Sequence, residues 1–335
     1  ASAVVAVLVA GGARVNNGPT GIGKIIAFMH LFTIVLNALM AINRMFTMLS
    51  RAAASSARVL EVLDTPVELF ETEPRYSFLP ENAPHIAFKN VTFRYSRGTF
   101  AVRGLNFSLR RGETLGIIGA TGAGKSTVIR ALMRYYDVSE GSIEIDGVDI
   151  RDYATTDLRA KFGVVFQNDT LFKDTIRENI RLGRSLSDEA LLEAARRAQA
   201  LDFIQAQGGL DAPVAIKGAN LSGGQKQRLL IARALAGSPE ILVLDDSSSA
   251  LDYKTDARLR EEIRLHYASA TKIIVAQRVS SIMHAEKILV MENGRVIGMG
   301  THDELMETCP LYREIGESQI GDRRAEAGAG KGVLA

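Results

Sequence analysis

The residues with the plainest chemistry are Gly119, Gly124, Lys125 and Ser126, spaced G-x-x-x-x-G-K-S after an apolar run and ahead of a helical pattern. Glycines at that spacing let backbone N–H groups close around phosphate oxygens, and the following helix N-terminus adds its dipole. Thr121, Gly122, Ala123 and Thr127 complete the loop. In such a loop the Lys125 ammonium reaches the β- and γ-phosphates and the Ser126 hydroxyl ligates Mg²⁺. The expected ligand is a nucleoside triphosphate with Mg²⁺. A second element, Ile241–Leu244, is apolar throughout and ends in Asp245-Asp246, as expected of a buried strand delivering two carboxylates to its C-terminal edge. Beside a phosphate loop, Asp245 is expected to bind Mg²⁺ and Asp246 to orient the attacking water. A third, Leu221-Ser222-Gly223-Gly224-Gln225, opens the helical run Lys226–Leu235. This is another Gly-rich helix N-terminus suited to an anion.

The elements that position these residues are legible around them. Thr114–Ile118 reads as the strand ahead of the phosphate loop, and the helical pattern after it continues to Tyr136. Phe162–Phe166 reads as a further strand, ending at Gln167. Asp188–Ile204 has a helical pattern, with Asp188 and Glu189 in its first turn behind Ser187.

The order of these motifs resembles the ATP-binding cassette (ABC) ATPases, whose signature is the LSGGQ found here at 221–225. The resemblance covers about Ile86–Ile315 and implies an α/β P-loop ABC ATPase domain with an inserted helical subdomain at about 168–236. It implies ATP and Mg²⁺ as ligands. Tyr95 resembles the family's adenine-stacking aromatic, and Gln167 its Q-loop glutamine, which senses Mg²⁺ and the membrane domain. Ser249-Ala250-Leu251-Asp252 resembles its D-loop. The resemblance also implies that two such domains meet head to tail, so that Ser222, Gly223, Gly224 and Gln225 touch ATP held by another chain.

The remainder of the chain suits a membrane protein. Residues 1–50 contain no Asp or Glu, and only Arg14, Lys24 and Arg44 are charged. Ala3–Ala10 is apolar but too short to span a bilayer, so the chain is expected to be a piece that starts inside a transmembrane helix. Gly11–Gly23 reads as an external loop. Ile25–Ile42 carries no charge, and about 27 Å of helix at 1.5 Å per residue approaches the hydrocarbon thickness. His30 and Asn37 within it suit helix contacts or a water-filled cavity. The helical period continues to Leu63, so the last membrane helix (25–63) extends into the cytoplasm. A linker at 64–84 carries four prolines, the ATPase domain occupies 85–315, and 316–335 reads as a disordered tail. The fold class is therefore this ATPase domain preceded by a transmembrane α-helical segment. Forty Lys and Arg against 38 Asp and Glu give a net charge of +2, which argues against a nucleic-acid partner. One cysteine and five scattered histidines exclude a disulfide framework and offer no metal-ligand spacing.

Two departures from the family pattern carry information. Exporters generally place Glu after the Walker B Asp, where this chain has Asp246, and a switch His after the strand Ile273–Ala276, where it has Gln277. Asp is one methylene shorter, and misplacement of about 1 Å can cost ~10²-fold in rate. Gln can hydrogen-bond to phosphate but cannot become cationic. The chain's own site is thus expected to bind ATP well and hydrolyse it poorly, while its signature is intact. That asymmetry resembles the degenerate-site half of a heterodimeric, multidrug-type ABC exporter. The second half would be its partner, the cell membrane its multi-pass location, and a drug, lipid or peptide its cargo. A smaller departure is Lys217 in Ala212–Gly218, where many exporters carry an acid facing their coupling helices. A homodimeric lipid or peptide exporter and a non-transport ABC ATPase are the alternatives. The uncharged run Ile25–Ile42 argues against the last.

Overall fold

No Gly or Pro interrupts the sequence between Lys24 and Leu63, and one helix runs through it. The computed structural model describes residues 5–6, 9–11, 13, 22–65, 69, 82–95, 100–247 and 250–329, with side chains as far as 319. Its residues form two compact units, Ala1–Glu68 and Leu69–Ala335. In the first, the helix Ile22–Leu63 has 42 residues, about 63 Å at 1.5 Å per residue. It starts three residues before the expected Ile25. Thr33 and Thr47 return their hydroxyls to the carbonyls of Met29 and Asn43 one turn back, and the exposed charges Arg44, Arg51, Arg58 and Glu61 lie beyond Ile42. Phe28, Leu31, Val35 and Leu39 are each more than half exposed. Among the described residues this is the one helix long and apolar enough to cross a membrane. Gly11 and Ala13, expected in a loop, are helical. Of the expected leading half-helix, residues 5–6 and 9–10 are described and helical, and the expected loop is also helical at 22–23. Residues 1–4, 7–8, 12 and 14–21, and most of the linker, lie outside the described residues.

In the second unit, short apolar runs become parallel strands covered on both faces. Strands β1 (Ile86–Arg94), β2 (Phe100–Leu109), β4 (Glu140–Ile145) and β5 (Val148–Asp149) form an antiparallel sheet in the order β2-β1-β4-β5. Strands β3 (Thr114–Gly119), β6 (Phe162–Val165), β9 (Ile241–Asp245), β10 (Thr271–Val275), β11 (Lys287–Glu292) and β12 (Arg295–Gly300) form the second, in the order β12-β11-β3-β10-β9-β6. All of its pairings are parallel except β11 with β12. Helix Lys125–Leu132 packs Val128, Ile129 and Leu132 into the core shared with the first sheet. Because β3, β6, β9 and β10 run the same way, their C-terminal ends meet along one edge. That edge is where an open α/β sheet binds ligand.

A second core lies under helices Ile176–Arg181, Asp188–Arg197, Leu201–Ala206 and Gly223–Leu235, with a two-stranded ribbon of β7 (Asp174–Thr175) and β8 (Pro213–Val214). This matches the expected helical insertion, with one correction. The single helix read over Asp188–Ile204 is two, because Gln199 adopts a left-handed φ of 56° between them. Ser187 caps the first by accepting from the Ala190 amide. At the C-terminus, helix Pro310–Ala329 occupies much of the stretch expected to be a tail. Pro310 suits a first helical position, and the interior glycines cost only about 1 kcal/mol each.

The opposite, N-terminal edge of the parallel sheet is pinned by charge. Arg111 donates to both Asp146 and Glu240, and Lys161 to Glu240. His85, 1% exposed, sits against them with Nδ1 2.6 Å from Thr271 Oγ1. Burial first, then Arg111 and Lys161, lower the His85 pKa below its ordinary 6.5, while Asp146 and Glu240 oppose this. A histidine whose folded pKa is depressed binds fewer protons folded than unfolded. Stability therefore rises with pH and is lost as pH falls through about 6.5. His85→Gln is expected to flatten this slope, seen as a smaller Tm difference between pH 5.5 and 7.5. Parallel acid loss in both proteins would remove His85 as its source.

Candidate functional site

The residues singled out for phosphate chemistry converge on one cleft of about 720 Å³ at the C-terminal strand edge. Tyr95, Thr121, Gly122, Gly124, Lys125, Ser126, Thr127, Gln167, Asp245, Asp246 and Gln277 all line it. Gly119 and Ala123 shape the loop from behind, Ala123 being buried. Gly124 has φ 101°, and a Cβ there would lie 2.6 Å from the Ala101 carbonyl oxygen. Only glycine fits that position, which starts the helix carrying Lys125 and Ser126. Gly122, at φ 83°, has open space where a Cβ would project. Lys125 folds onto the loop, donating to the carbonyls of Gly119 at 2.7 Å and Ala120 at 2.9 Å. Burial lowers its pKa, against the attraction of Asp245 and Asp246.

Asp245 ends β9 at 4% exposure and accepts from the Ser126 hydroxyl at 2.9 Å. Burial raises its pKa, and Asp246 adds to this while Ser126 and Lys125 oppose it. A buried carboxylate beside a hydroxyl, with the Gln167 amide on the same cleft wall, is a hard oxygen set. It fits Mg²⁺, which binds few protein ligands and completes its shell with water and phosphate oxygens.

Asp246 turns out of the strand with a left-handed φ of 53°, a conformation that Asp tolerates better than most residues. Its Oδ2 accepts from Gln277 Nε2 at 2.7 Å and lies 3.5 Å from Gln167 Nε2. The carboxylate expected to orient water is therefore tied to the glutamine at the switch position. Tyr95 packs edge-on against Phe93 and Tyr136, with its hydroxyl 3.4 Å from Thr127 Oγ1.

The signature residues and Asp252 lie off this cleft. Ser222 caps helix Gly223–Leu235 reciprocally: its Oγ accepts from the Gln225 amide at 3.2 Å, and Gln225 Oε1 accepts from the Ser222 amide at 2.9 Å. Ser222 and Gly223 are exposed. Asp252 caps Tyr253–His266 by accepting from the Thr255 amide; Ser249 lies outside the described residues. Lys217, with φ 55°, sits in a short turn beside the exposed Ile216.

Sequence reasoning missed Phe100, Arg103, Asn293, Gly294 and Arg295 on the cleft wall. Arg103 stacks its guanidinium 3.9 Å above the Phe100 ring, and its amide donates to the Gly294 carbonyl at 2.8 Å. Asn293-Gly294 is a readable hairpin turn, but nothing local places that turn beside β2.

Comparison with known proteins agrees with this geometry. The family model for ABC transporters matches residues 102–249. An uncharacterized ABC transporter ATP-binding protein of Mycobacterium tuberculosis is 37% identical over 94% of this chain and 55% of its own length. The β-(1→2)glucan export ATP-binding/permease protein NdvA of Rhodopseudomonas palustris is 39% identical over 95% of this chain and 53% of its own length. The solved structure of a bacterial Atm1-family ABC exporter with ATP bound superposes with a TM-score of 0.74 at 36% identity, covering 91% of this chain and 54% of that one. The second unit is an ABC transporter ATP-binding domain, an ATPase by class. The whole chain spans about half the length of these relatives.

Proposed function

We propose that this chain is the ATP-binding portion of an ABC exporter half, and that its own P-loop site hydrolyses weakly while its signature serves a second half. The observation that carries the reading is the 2.7 Å hydrogen bond between Gln277 and Asp246. The water-orienting position holds a short carboxylate, and the switch position a neutral amide that engages it. Neither supplies a long carboxylate base or a cation for developing negative charge.

In this reading Lys125 leaves its two loop carbonyls for the β- and γ-phosphates, and Ser126 and Asp245 hold Mg²⁺, which neutralises phosphate charge. Tyr95 stacks on the adenine. Gln277 donates to the γ-phosphate, and Gln167 would join Ser126 and Asp245 in holding Mg²⁺. Closure of two such domains on ATP, and their reopening on hydrolysis, drives outward transport of a drug, lipid or peptide. The NdvA relative is named for export of a β-(1→2)glucan, a cargo outside these three classes. Residues 1–63 form the end of the membrane domain, with the helix leaving the bilayer on the cytoplasmic side, 64–84 the linker and 85–315 the ATPase domain. Asn16 and Asn17 lie outside the described residues; on this topology that stretch is expected to face outward, because the ATPase needs cytoplasmic ATP. A homodimeric exporter with slow hydrolysis is the second reading, in which the capped signature helix at Ser222 serves an identical copy.

Asp246→Glu combined with Gln277→His is expected to raise hydrolysis at this site by about 10-fold or more, part of the ~10² attributed to misplacement. The measurement is steady-state ATPase of the complete chain with and without its partner. Unchanged turnover in the double variant would reject the weak-site reading.

A further inference from the structure

The switch loop that carries Gln277 leaves the sheet with two backbone groups unpaired by any strand. The ladder of β10 runs to Val275, and the Ala276 amide still donates to the Ile117 carbonyl. Beyond it, the Gln277 carbonyl and the Val279 amide have no strand alongside; Gln277 is exposed, whereas Val279 is buried and its amide needs a partner within the protein. One side chain bonds to both groups. Gln319, on helix Pro310–Ala329, donates from Nε2 to the Gln277 carbonyl at 2.8 Å and accepts at Oε1 from the Val279 amide at 2.9 Å. The amide orientation is not open to a flip, because one partner is only an acceptor and the other only a donor.

The helix is itself well seated. Tyr312 is fully buried, and Ile315 packs against the cluster containing Ala276, Val279 and Ile282. The apolar contacts therefore hold the helix against the switch loop, and Gln319 fixes the loop's backbone on both sides of Arg278. Gln277 in turn reaches Asp246 at 2.7 Å in the nucleotide cleft. A chain of contacts runs from the C-terminal helix to the carboxylate pair without Gln319 touching the cleft.

We propose that Gln319 is a positioning residue for the γ-phosphate end of the nucleotide site, holding the switch loop so that Gln277 can donate into the cleft. The proposal rests on the ATP reading given above. Its consequence is directional. Loss of the clamp frees Gln277 and weakens a contact that only a triphosphate makes, whereas the P-loop contacts shared by ATP and ADP remain. The C-terminal helix thereby becomes a handle on nucleotide choice, since anything that draws it away releases the loop.

The test is photolabelling of the complete transporter with 8-azido-ATP and 8-azido-ADP, counting label on this chain. Gln319→Met keeps length and removes both hydrogen bonds. It is expected to lower ATP affinity about 3- to 10-fold, the worth of one or two hydrogen bonds, with ADP affinity unchanged. Gln319→Glu keeps the acceptor but turns a charged oxygen toward the Gln277 carbonyl, and is expected to move the ATP-to-ADP ratio the same way. Gln277→Ala should reproduce the loss, and adding Gln319→Met to it should cost nothing more, because the two act in series. An unchanged ratio, a parallel fall for both nucleotides, or losses that multiply in the double variant would overturn the proposal. Lys125→Ala is the control on the underlying reading. It should lower both nucleotides together, and no effect there would fault the nucleotide site itself rather than the clamp.

Discussion

Lys125→Ala is expected to lower ATP affinity at this chain's own site by about 30- to 1000-fold, the cost of truncating one partner of a desolvated charge pair. The geometry gives the reason. Lys125 is the cation rooted at the first turn of the helix that ends the phosphate loop, and its Nζ is parked on the carbonyls of Gly119 and Ala120. Those bonds are neutral acceptors that exchange readily for phosphate oxygens, which are charged and form stronger hydrogen bonds. Burial disfavours the ammonium, and a phosphate beside it would favour it. Removing the side chain leaves the backbone N–H groups but no counter-charge. Titration calorimetry with ATP in Mg²⁺ on the complete chain reads the change directly. Affinity within a factor of two of wild type would exclude the loop as the phosphate site.

How much of this was readable beforehand differs by element. The P-loop and Asp245 were legible because each lies at the end of an apolar run that becomes a parallel strand, whereas Gln167 and Gln277 were singled out by the family resemblance; one sheet edge collects them all. Period and apolarity also gave the long helix to within three residues of its observed start. What failed depended on backbone or on distant contact. The break at Gln199 is a single left-handed residue that no pattern marks. Arg103 and Gly294 meet only because β2 folds back beside the β11–β12 turn. Gln319 meets Gln277 across 42 positions of sequence, and an amide in an amphipathic helix carries no local sign of such a contact. The left-handed backbone at Asp246 was likewise invisible, and it bears on why a short carboxylate is comfortable there.

In the assembled transporter, Gly224→Asp is expected to reduce ATP hydrolysis by about 10²-fold, the loss seen when an electrostatic stabiliser is removed from a reacting site. Ser222→Ala is expected to act in the same direction. Neither residue lines this chain's own cleft, so the effect must fall on ATP held elsewhere. The signature helix presents an exposed, capped N-terminus with Ser222 and Gly223 open to solvent, and such a terminus favours an approaching phosphate. An Asp at Gly224 suits the helix dipole but sets its Cβ 3.3 Å from the Ala250 carbonyl oxygen, and it places a negative charge where the γ-phosphate must come. Ser222→Ala loses a cap worth about 1 kcal/mol, so a thermal melt of both variants beside the ATPase assay separates lost chemistry from lost stability. Asp246→Ala, by contrast, is expected to lower turnover less than twofold, because the site it belongs to already works slowly. Steady-state ATPase on matched purified complexes compares the three. If Asp246→Ala proves as damaging as Gly224→Asp, the two sites are equivalent, and the homodimeric reading replaces the heterodimeric one.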